Sequence, residues 1–596
     1  MCAVFGVLGD YDDKIARMAL ERMTHRGPDH CGITERPGVF FAHNRLSIIA
    51  SSHNQPYEQE GILLSFNGEI YNYRELRTLL ELPEAGESEL LVCAYLKWGV
   101  NFVKRLVGMF AIALYDKETL YLFRDRFGKK PLFYLHGANT FAYASEIKAL
   151  RVFLKRVRMN DDALMSYLSF LAPTPPHTFY EGIYKLEAGY FLKFSQNSVT
   201  CKRYYDVLEA PCDAISDEPA ALNTIEKHLF DAVALRLEAD VPTAALLSGG
   251  IDSAMLVAVA KHYGKTLPTF TLGYENYGNY DERANARYSA ESLGVENHEI
   301  VIGQNDFIGA IDPVFDALDE PLNDPAAVPL YLLFKAIKKA GYKVVLSGEG
   351  SDEIFLGYRQ YFEYLDIEKA AMLQHKNWLK KYFHGHFSMN REWEWYKRVF
   401  DTTLLFRTSG EKFTDLQKNI LMHRNVRDND ALRFLEPYRR MFEQSLHEDP
   451  AIWYSYSDLK LFQAEHFLTK LDRVSMAHSI ESRTPYLDHA LVETLFSLDP
   501  ALRYRKGVTK ALLKKIGGNY LDASILARKK KGFSNPYMEW LIASGRMELI
   551  LHVNEKTGLF KKEVLEEYIS RAKTGRFKQH VWGLYALSHW INKELL

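Results

Sequence analysis

The second residue of the chain is a cysteine, and its position gives it an unusual chemical option. If Met1 is removed, Cys2 carries both a thiol and a free α-amine whose intrinsic pKa is about 8. That amine can act as general base for its own thiol, so a separate histidine is not needed to make the nucleophile. A cysteine at position 2 is more often an ordinary residue, so the segments that follow must decide.

Three polar segments follow Cys2 in an order that supports catalysis. They are residues 25–29 (His-Arg-Gly-Pro-Asp), 45–49 (Arg-Leu-Ser-Ile-Ile) and 67–73 (Asn-Gly-Glu-Ile-Tyr-Asn-Tyr). Together they resemble the class II glutamine amidotransferases, whose N-terminal nucleophile cleaves glutamine to glutamate and ammonia. The resemblance extends to about residue 150 and implies an α+β N-terminal-nucleophile fold, an αββα sandwich.

The resemblance also implies roles for individual residues. The thiolate of Cys2 would attack the side-chain carbonyl of glutamine, while the Asn67 amide and the Gly68 N–H would stabilise the oxyanion. Arg45 would bind the α-carboxylate of glutamine through its planar guanidinium. The remaining residues of the implied glutamine pocket are Leu46, Ser47, Ile48, Ile49, Glu69 and Glu87.

Glu87 departs from the family pattern. The family has Asp two residues before a Glu, whereas here Glu87 precedes Glu89, which keeps the charge and adds one methylene. A misplacement of about 1 Å can cost about 10²-fold in rate. We therefore expect a local shift of the loop that lets Glu87 still reach the α-amino group of glutamine.

A second candidate site lies where an apolar strand, a glycine turn and a helix follow one another at residues 243–263. The exposed N–H groups and the dipole at such a helix start bind anions. The turn lacks the Lys-Ser/Thr ending of a Walker A loop. Its pattern favours binding of pyrophosphate, with Asp252 available for Mg²⁺ and Ser253 for phosphate, and hence cleavage of ATP between the α- and β-phosphates.

A second strand end, at residues 344–353, repeats this arrangement with acidic residues. On a neighbouring parallel strand, Asp352 would share Mg²⁺ with Asp252, because Mg²⁺ prefers carboxylates, phosphate oxygens and water. Glu349 would approach the acyl-adenylate. The predicted ATP-binding residues are Leu247, Ser248, Gly249, Gly250, Asp252, Ser253, Leu272, Ser347 and Gly348.

Residues 2 to about 545 resemble the glutamine-hydrolysing asparagine synthetases, with further support from segments 319–321, 468–477 and 482–489. That family activates aspartate with ATP as β-aspartyl-AMP, and ammonia from the glutaminase site reaches this intermediate through an internal tunnel. By its position, Lys510 resembles the lysine that stabilises charge in the second half-reaction. The resemblance also implies a homodimer. Most of the basic run at 528–531 is expected to be a solvated loop.

The composition limits the other classes of function. The 596 residues contain 47 % hydrophobic and 25 % charged residues and have a formal net charge of −2, which gives no electrostatic reason to bind nucleic acid or an anionic membrane. The apolar runs are shorter than the ~18 residues that cross a bilayer. The N-terminus does not resemble a signal peptide. Reduced thiols in a cytoplasmic protein are expected for the cysteines, namely Cys2, Cys31, Cys93, Cys201 and Cys212.

The pattern of elements predicts two domains. Short strands interrupted by Gly, Pro and Asn predict antiparallel sheets in a glutaminase domain over residues 2–206, and residues 207–220 form the candidate linker. From residue 221 to 596, strand–turn–helix alternation predicts an α/β parallel-sheet ATP-pyrophosphatase domain with a mainly helical C-terminal part.

Three alternatives use the same architecture. A related amidotransferase could amidate another carboxylate, such as a sugar acid of a surface polysaccharide, because the sequence does not declare the acceptor pocket. Closure of a β-lactam ring is disfavoured, since Cys2, Asn67 and Gly68 are all present. A non-catalytic descendant should have lost the nucleophile or the phosphate loop, and both are intact.

Overall fold

The computed structural model describes residues 2–49, 54–210, 215–386, 388, 390–505, 507–530, 532 and 534–596. Cys212, Lys531 and part of the predicted linker therefore lie outside the described residues. The strands of the N-terminal part are β1 (Cys2–Gly9), β2 (His30–Arg36), β3 (Val39–Arg45), β4 (Tyr57–Gln59), β5 (Ile62–Ile70), β6 (Gly108–Asp116), β7 (Thr119–Arg124), β8 (Phe133–His136), β9 (Thr140–Ala144), β10 (Ile183–Lys185), β11 (Tyr190–Ser195) and β12 (Ser198–Arg203). Its helices are α1 (Asp13–Glu21), α2 (Tyr73–Leu80), α3 (Glu87–Trp98), α4 (Ile147–Leu150) and α5 (Asp161–Phe170).

Within the described residues these strands form two antiparallel sheets, ordered β10-β8-β9-β1-β3-β2 and β12-β11-β7-β6-β5-β4. Alternation along β1 shows how they stack. Phe5 and Val7 contact the helical layer that includes Ala16 of α1. Val4 and Leu8 instead belong to the core between the two sheets. Helices α2 and α3 cover the outer face of the second sheet, so the predicted αββα sandwich is confirmed.

A parallel sheet ordered β15-β14-β13-β16-β17 forms the centre of the second part. Its strands are β13 (Thr243–Leu246), β14 (Thr269–Tyr274), β15 (Asn297–Ile302), β16 (Val344–Leu346) and β17 (Glu481–Arg483). Because β13 and β16 are neighbours and parallel, the loops after their carboxyl ends meet at one edge of the sheet. The accompanying helices are α6 (Glu218–Arg236), α7 (Ile251–His262), α8 (Arg283–Leu293), α9 (Gln304–Leu318), α10 (Ala327–Lys339) and α11 (Ser351–Ile354).

The rest of the chain is mainly helical, as predicted. The helices are α12 (Arg359–Glu368), α13 (Lys376–Gly385), α14 (Arg391–Phe400), α15 (Asp415–Leu421), α16 (Leu432–Gln444), α17 (Pro450–Ser457), α18 (Leu468–Met476), α19 (His489–Phe496), α20 (Pro500–Arg503), α21 (Ala511–Gly517), α22 (Ala523–Leu526), α23 (Tyr537–Ala543), α24 (Glu548–Thr557), α25 (Lys562–Lys573) and α26 (Lys578–Glu594). A π-helical stretch at Asp458–Phe467 joins α17 to α18.

Two strands of the parallel sheet were not predicted. β15 is an edge strand with polar residues, and Val301 within it is exposed, so it lacks the apolar run of a buried parallel strand. β17 contains only Glu481, Ser482 and Arg483, whose charges give no strand signal although all three are buried. Among the described residues, no helix has the length and apolarity needed to span a bilayer.

Candidate active site

β1 places Cys2 at the first ladder position of a central strand. Cys2 is buried and lies opposite Arg45 in the register between β1 and β3. β3 pairs with β1 from Cys2 onward, whereas β9 pairs with β1 only from Phe5 to Gly9, so the ladder fixes the Cys2 backbone on the β3 side. The thiol is thus held rigidly at the end of a strand.

Asn67 on β5 lies directly against Cys2. Its Oδ1 accepts a hydrogen bond from the main-chain nitrogen of Cys2 at 3.0 Å. Its buried Nδ2 has no hydrogen-bond partner among the described residues, which is costly unless a ligand accepts that bond. At Gly68 a Cβ would come within 2.0 Å of the Met109 carbonyl oxygen, so no other residue fits. A free amide donor beside a thiol is the geometry of an oxyanion site.

The segment after β3 folds back over the side chain of Arg45. The Arg45 guanidinium donates to Asn54 Oδ1 at 2.9 Å and to the Ile49 carbonyl oxygen at 3.4 Å. Leu46 and Ile48 are buried, whereas Ser47 is partly exposed. The predicted pocket residues 45–49 therefore form one continuous segment, which we call the glutamine loop.

Two buried glutamates complete this site. Glu87, the first residue of α3, accepts a hydrogen bond from the Ile70 N–H at 3.0 Å. Burial raises the pKa of Glu87 to about 7, with Glu481 and the Cys2 thiol adding to the effect. Burial, reinforced by Glu87, likewise raises the pKa of Glu69 well above its ordinary value. The two carboxyl groups share a low-dielectric pocket in which a cationic ligand group would favour their ionised forms.

The predicted phosphate loop adopts the expected strand–turn–helix form. Gly249 has φ +76°, and a Cβ there would meet the Asn285 backbone at 2.7 Å, so both conformation and space require glycine. The Ser248 N–H donates to Ser253 Oγ at 3.1 Å, which closes the turn onto α7. Gly348, from the loop after β16, lies so close that a Cβ would be 3.2 Å from the Asp252 Cβ. The two loops are in contact.

Lys510 joins the two predicted metal ligands. Its buried ammonium contacts both carboxylate oxygens of Asp252 at 2.6 Å and Asp352 Oδ1 at 2.7 Å. The adjacent cations lower the pKa of Asp352, although burial alone would raise it. Two carboxyl groups therefore converge beside the glycine turn. That donor set suits Mg²⁺, which takes one or two carboxylates and fills its remaining positions with substrate phosphates and water.

The cavity beside these loops has both apolar and ionisable lining residues. Leu272 and Leu247 are among the apolar ones, and Glu349, whose pKa is raised by burial, is among the ionisable ones. The other lining residues are Leu246, Ser248, Asp252, Ser253, Phe270, Thr271, Glu282, Leu330, Leu333, Ser347, Gly348, Asp352, Lys470 and Lys530. A cleft with this lining can hold a base against apolar side chains and phosphates against polar ones.

Sequence reasoning missed several basic residues of this site. Arg528 donates to the Gly249 carbonyl oxygen at 2.5 Å, and Lys530 pairs with Asp352. Lys529 and Lys530 are exposed, as expected for a mostly solvated run, but Arg528 and Lys530 also contact the two loops because the helical C-terminal part folds back over the phosphate loop. Lys470 lines the cavity and pairs with Asp324 at 2.7 Å. In a run of lysines, the sequence gives no signal that shows which side chain will contact the site.

One residue touches both sites. The Arg483 guanidinium lies 3.7 Å from Glu69 in the first site. The Arg483 carbonyl oxygen accepts a hydrogen bond from the Ser347 N–H in the second site at 2.9 Å. The unpredicted strand β17 thus lies between the two sites and contacts both.

Comparison with known proteins gives matches to both parts of the chain. Residues 224–592 match the family model described as asparagine synthase, and residues 1–205 match the glutamine amidotransferase domain.

Individual relatives extend over nearly the whole chain. Asparagine synthetase [glutamine-hydrolyzing] 1 of Bacillus subtilis is 32 % identical, covering 91 % of this chain and 88 % of its own. Asparagine synthetase [glutamine-hydrolyzing] 3 of the same organism is 27 % identical over 99 % of this chain and 97 % of its own. A protein of Gibberella zeae named amidase chry2 is 28 % identical over 88 % of this chain and 85 % of its own.

Proposed function

The chain belongs to the family of glutamine-hydrolysing asparagine synthetases, and on that premise we propose how its residues divide the reaction. It is an ATP-dependent ligase that takes nitrogen from glutamine. We propose that residues 2–206 hydrolyse glutamine and that residues 221–596 activate the side-chain carboxylate of aspartate. The observation that carries this division is the pair of converging sites, one around Cys2 and one around Lys510, which meet across Arg483.

In the glutaminase half, removal of Met1 frees the α-amine of Cys2, which takes the thiol proton. The thiolate attacks the side-chain carbonyl carbon of glutamine, and Asn67 Nδ2 with the Gly68 N–H receives the negative charge on oxygen. Return of the proton to nitrogen releases ammonia and leaves a thioester on Cys2. Attack by water on that thioester then gives glutamate and restores the thiol.

Glutamine is oriented by charge at its other end. Arg45 binds the α-carboxylate, and Glu69 with Glu87 binds the α-ammonium. The hydrogen bond from the Ile70 N–H anchors Glu87 to the end of β5, which supports the view that the longer side chain is accommodated by a fixed helix start.

In the synthetase half, a carboxylate oxygen of aspartate attacks the α-phosphorus of ATP and pyrophosphate leaves. The glycine turn at Ser248–Gly250 and the start of α7, with Ser253, Arg528 and Lys530, hold the departing phosphates. Ammonia then attacks the acyl carbon of β-aspartyl-AMP. The bond between that carbon and the bridging oxygen breaks, and AMP leaves with the bridging oxygen. Leu272 lines the adenine pocket, and Ser347 and Gly348 border the nucleotide.

Asp252 and Asp352 would hold Mg²⁺, which neutralises phosphate charge when it is bound. Lys510, whose ammonium contacts both carboxylates, would bring a further cation to the phosphates. Glu349, with its raised pKa, lines the same cavity and would approach the acyl group. We assign aspartate as the acceptor because the family prepares asparagine; amidation of another carboxylate is the second candidate, and more distant relatives named amidases speak for it.

The deciding experiment measures AMP and amide product from ATP and Mg²⁺ with either glutamine or ammonium. Aspartate is compared with a panel of other carboxylates, including sugar acids. Among the carboxylates tested, we expect only aspartate to give product, with AMP and asparagine formed in equal amounts. AMP release with another acid and none with aspartate would replace the acceptor assignment and leave the two-site mechanism in place.

A further inference from the structure

A salt bridge connects the synthetase sheet to the glutamine loop. Lys343 directly precedes β16, and its Nζ lies 3.0 Å from Asp29 Oδ2. The same Asp29 oxygen accepts a hydrogen bond from the Ser47 N–H at 2.8 Å. One carboxylate therefore binds the glutamine loop on one side and the synthetase domain on the other.

The backbone at both ends of this bridge is fixed. The Asp29 N–H donates to the Arg45 carbonyl oxygen at 2.9 Å, so Asp29 holds the loop at two points. Lys343 donates through its main chain to the Pro242 carbonyl oxygen at 3.2 Å and accepts from the Glu481 N–H at 2.8 Å. Lys343 is thus anchored between the two strands that flank β16.

The same face of the synthetase sheet contacts the loop in two further ways. Leu46 and Ile48 form a small apolar cluster with Val344 and Met476. The Asp240 N–H donates to the Ile48 carbonyl oxygen at 3.1 Å. Synthetase residues therefore pack against the glutamine loop through apolar and backbone contacts, and the salt bridge adds a charged contact.

The far end of β16 carries the nucleotide loop. Val344–Leu346 is a fully buried strand, and Ser347 follows it immediately. At about 3.3 Å per residue, roughly 13 Å of strand separates Lys343 from Ser347. A short strand with buried neighbours transmits a displacement as a unit, since close-packed interiors deform little.

From these contacts we propose that Lys343 of the synthetase domain is a positioning residue for glutamine binding in the glutaminase domain. This inference rests on the proposed function, because it takes the loop at 45–49 to bind glutamine. Lys343 does not touch the substrate. It holds Asp29, and Asp29 holds the Ser47 N–H and the Arg45 carbonyl, which sets the direction of the arginine that binds the α-carboxylate.

The test compares Lys343→Met, Lys343→Arg and the control Lys339→Met on α10, whose exposed side chain forms no ion pair among the described residues. Glutamine KM and kcat are measured by glutamate release, and ammonia-dependent amide synthesis is measured in parallel. We expect Lys343→Met to raise the glutamine KM by about three- to tenfold, as for loss of a partly exposed charged contact. Ammonia-dependent kcat should stay within about twofold, and Lys343→Arg should recover most of the affinity.

A double-mutant cycle makes the test sharper. Asp29→Asn should raise the glutamine KM similarly, and combining it with Lys343→Met should add little, because both changes remove one bridge. Fully additive effects would overturn the proposal, as would an unchanged KM in Lys343→Met or a Lys343→Arg variant equally impaired. Equal losses with glutamine and ammonia would show that Lys343 merely supports β16. If the unaltered enzyme forms amide with neither nitrogen source, the proposed function itself fails.

Discussion

Arg26 and Asp472 form a buried two-pronged salt bridge across the domain boundary, with distances of 2.8 Å and 3.1 Å between guanidinium nitrogens and carboxylate oxygens. Arg26 Nε also donates to the Cys2 carbonyl oxygen at 3.2 Å. The backbone of Cys2, the proposed nucleophile, is therefore held by an arginine whose charge partner belongs to the synthetase domain. Glu146 pairs with the same guanidinium at 2.9 Å.

Asp472→Asn keeps the shape of the side chain and removes its charge. The Arg26 guanidinium should then hold the Cys2 carbonyl less firmly, and glutamine-dependent kcat should fall by about tenfold, more than ammonia-dependent kcat. The matched control is Asp415→Asn, which weakens the buried Asp415–Arg407 pair at 2.8 Å within the helical C-terminal part. A similar ratio of the two activities in both variants would contradict a role of Asp472 at the nucleophile.

Cys2→Ala should abolish glutamine-dependent synthesis and leave ammonia-dependent synthesis near its normal rate, because the thiol takes part only in glutamine cleavage. The control is Cys31→Ala, which removes an exposed cysteine and should preserve both activities. Both are followed as asparagine formed from each nitrogen source. Loss of the ammonia-dependent reaction in Cys2→Ala would argue against two separate sites.

Asn67→Ala should lower glutaminase kcat by about 10²- to 10³-fold, since it removes a preorganised donor to the oxyanion. The glutamine KM should change much less, because the ground-state carbonyl needs that donor less than the oxyanion does. Steady-state glutamate release separates the two parameters. A variant changed only in KM would place Asn67 in substrate binding instead.

The pH dependence of glutamine use should carry the signature of Glu87. Its pKa is raised to about 7, so the carboxylate that attracts the α-ammonium is present above about pH 7 and is lost as the pH falls. kcat/KM for glutamine should therefore drop by about tenfold per pH unit below this value. Glu87→Gln should lose this component while keeping any inflection from the Cys2 amine. Identical profiles for both proteins would exclude Glu87 as the titrating group.

Lys510→Met should lower AMP formation by about 10²- to 10³-fold with either nitrogen source, because it removes the cation between Asp252 and Asp352. Glutamine hydrolysis should continue. Lys515→Met on the same helix is the control, because its ammonium pairs with Glu218 outside the cavity. Normal AMP formation in Lys510→Met would remove Lys510 from the synthetase site.

The elements with strong local patterns could be predicted from the sequence. The residue pattern predicts a helix over 73–80, which is α2 as observed. It predicts strands over 2–8 and 119–123, and β1 and β7 are each one residue longer. In these segments the hydrophobic period and the turn residues at each end agree. The glycine turn before α7 was equally clear, because glycine permits the positive φ that this turn adopts at Gly249.

The two candidate sites could each be predicted from short motifs. Cys2, Asn67, Gly68, Asp252 and Asp352 stand in segments whose local geometry is set by neighbouring strands and turns. The contacts between the two sites, in contrast, depend on the tertiary fold. Arg26 reaches Asp472 across 446 positions of the chain, and Lys343 reaches Asp29 across 314. Contacts at such separations depend on how whole domains dock, and no local spacing encodes them.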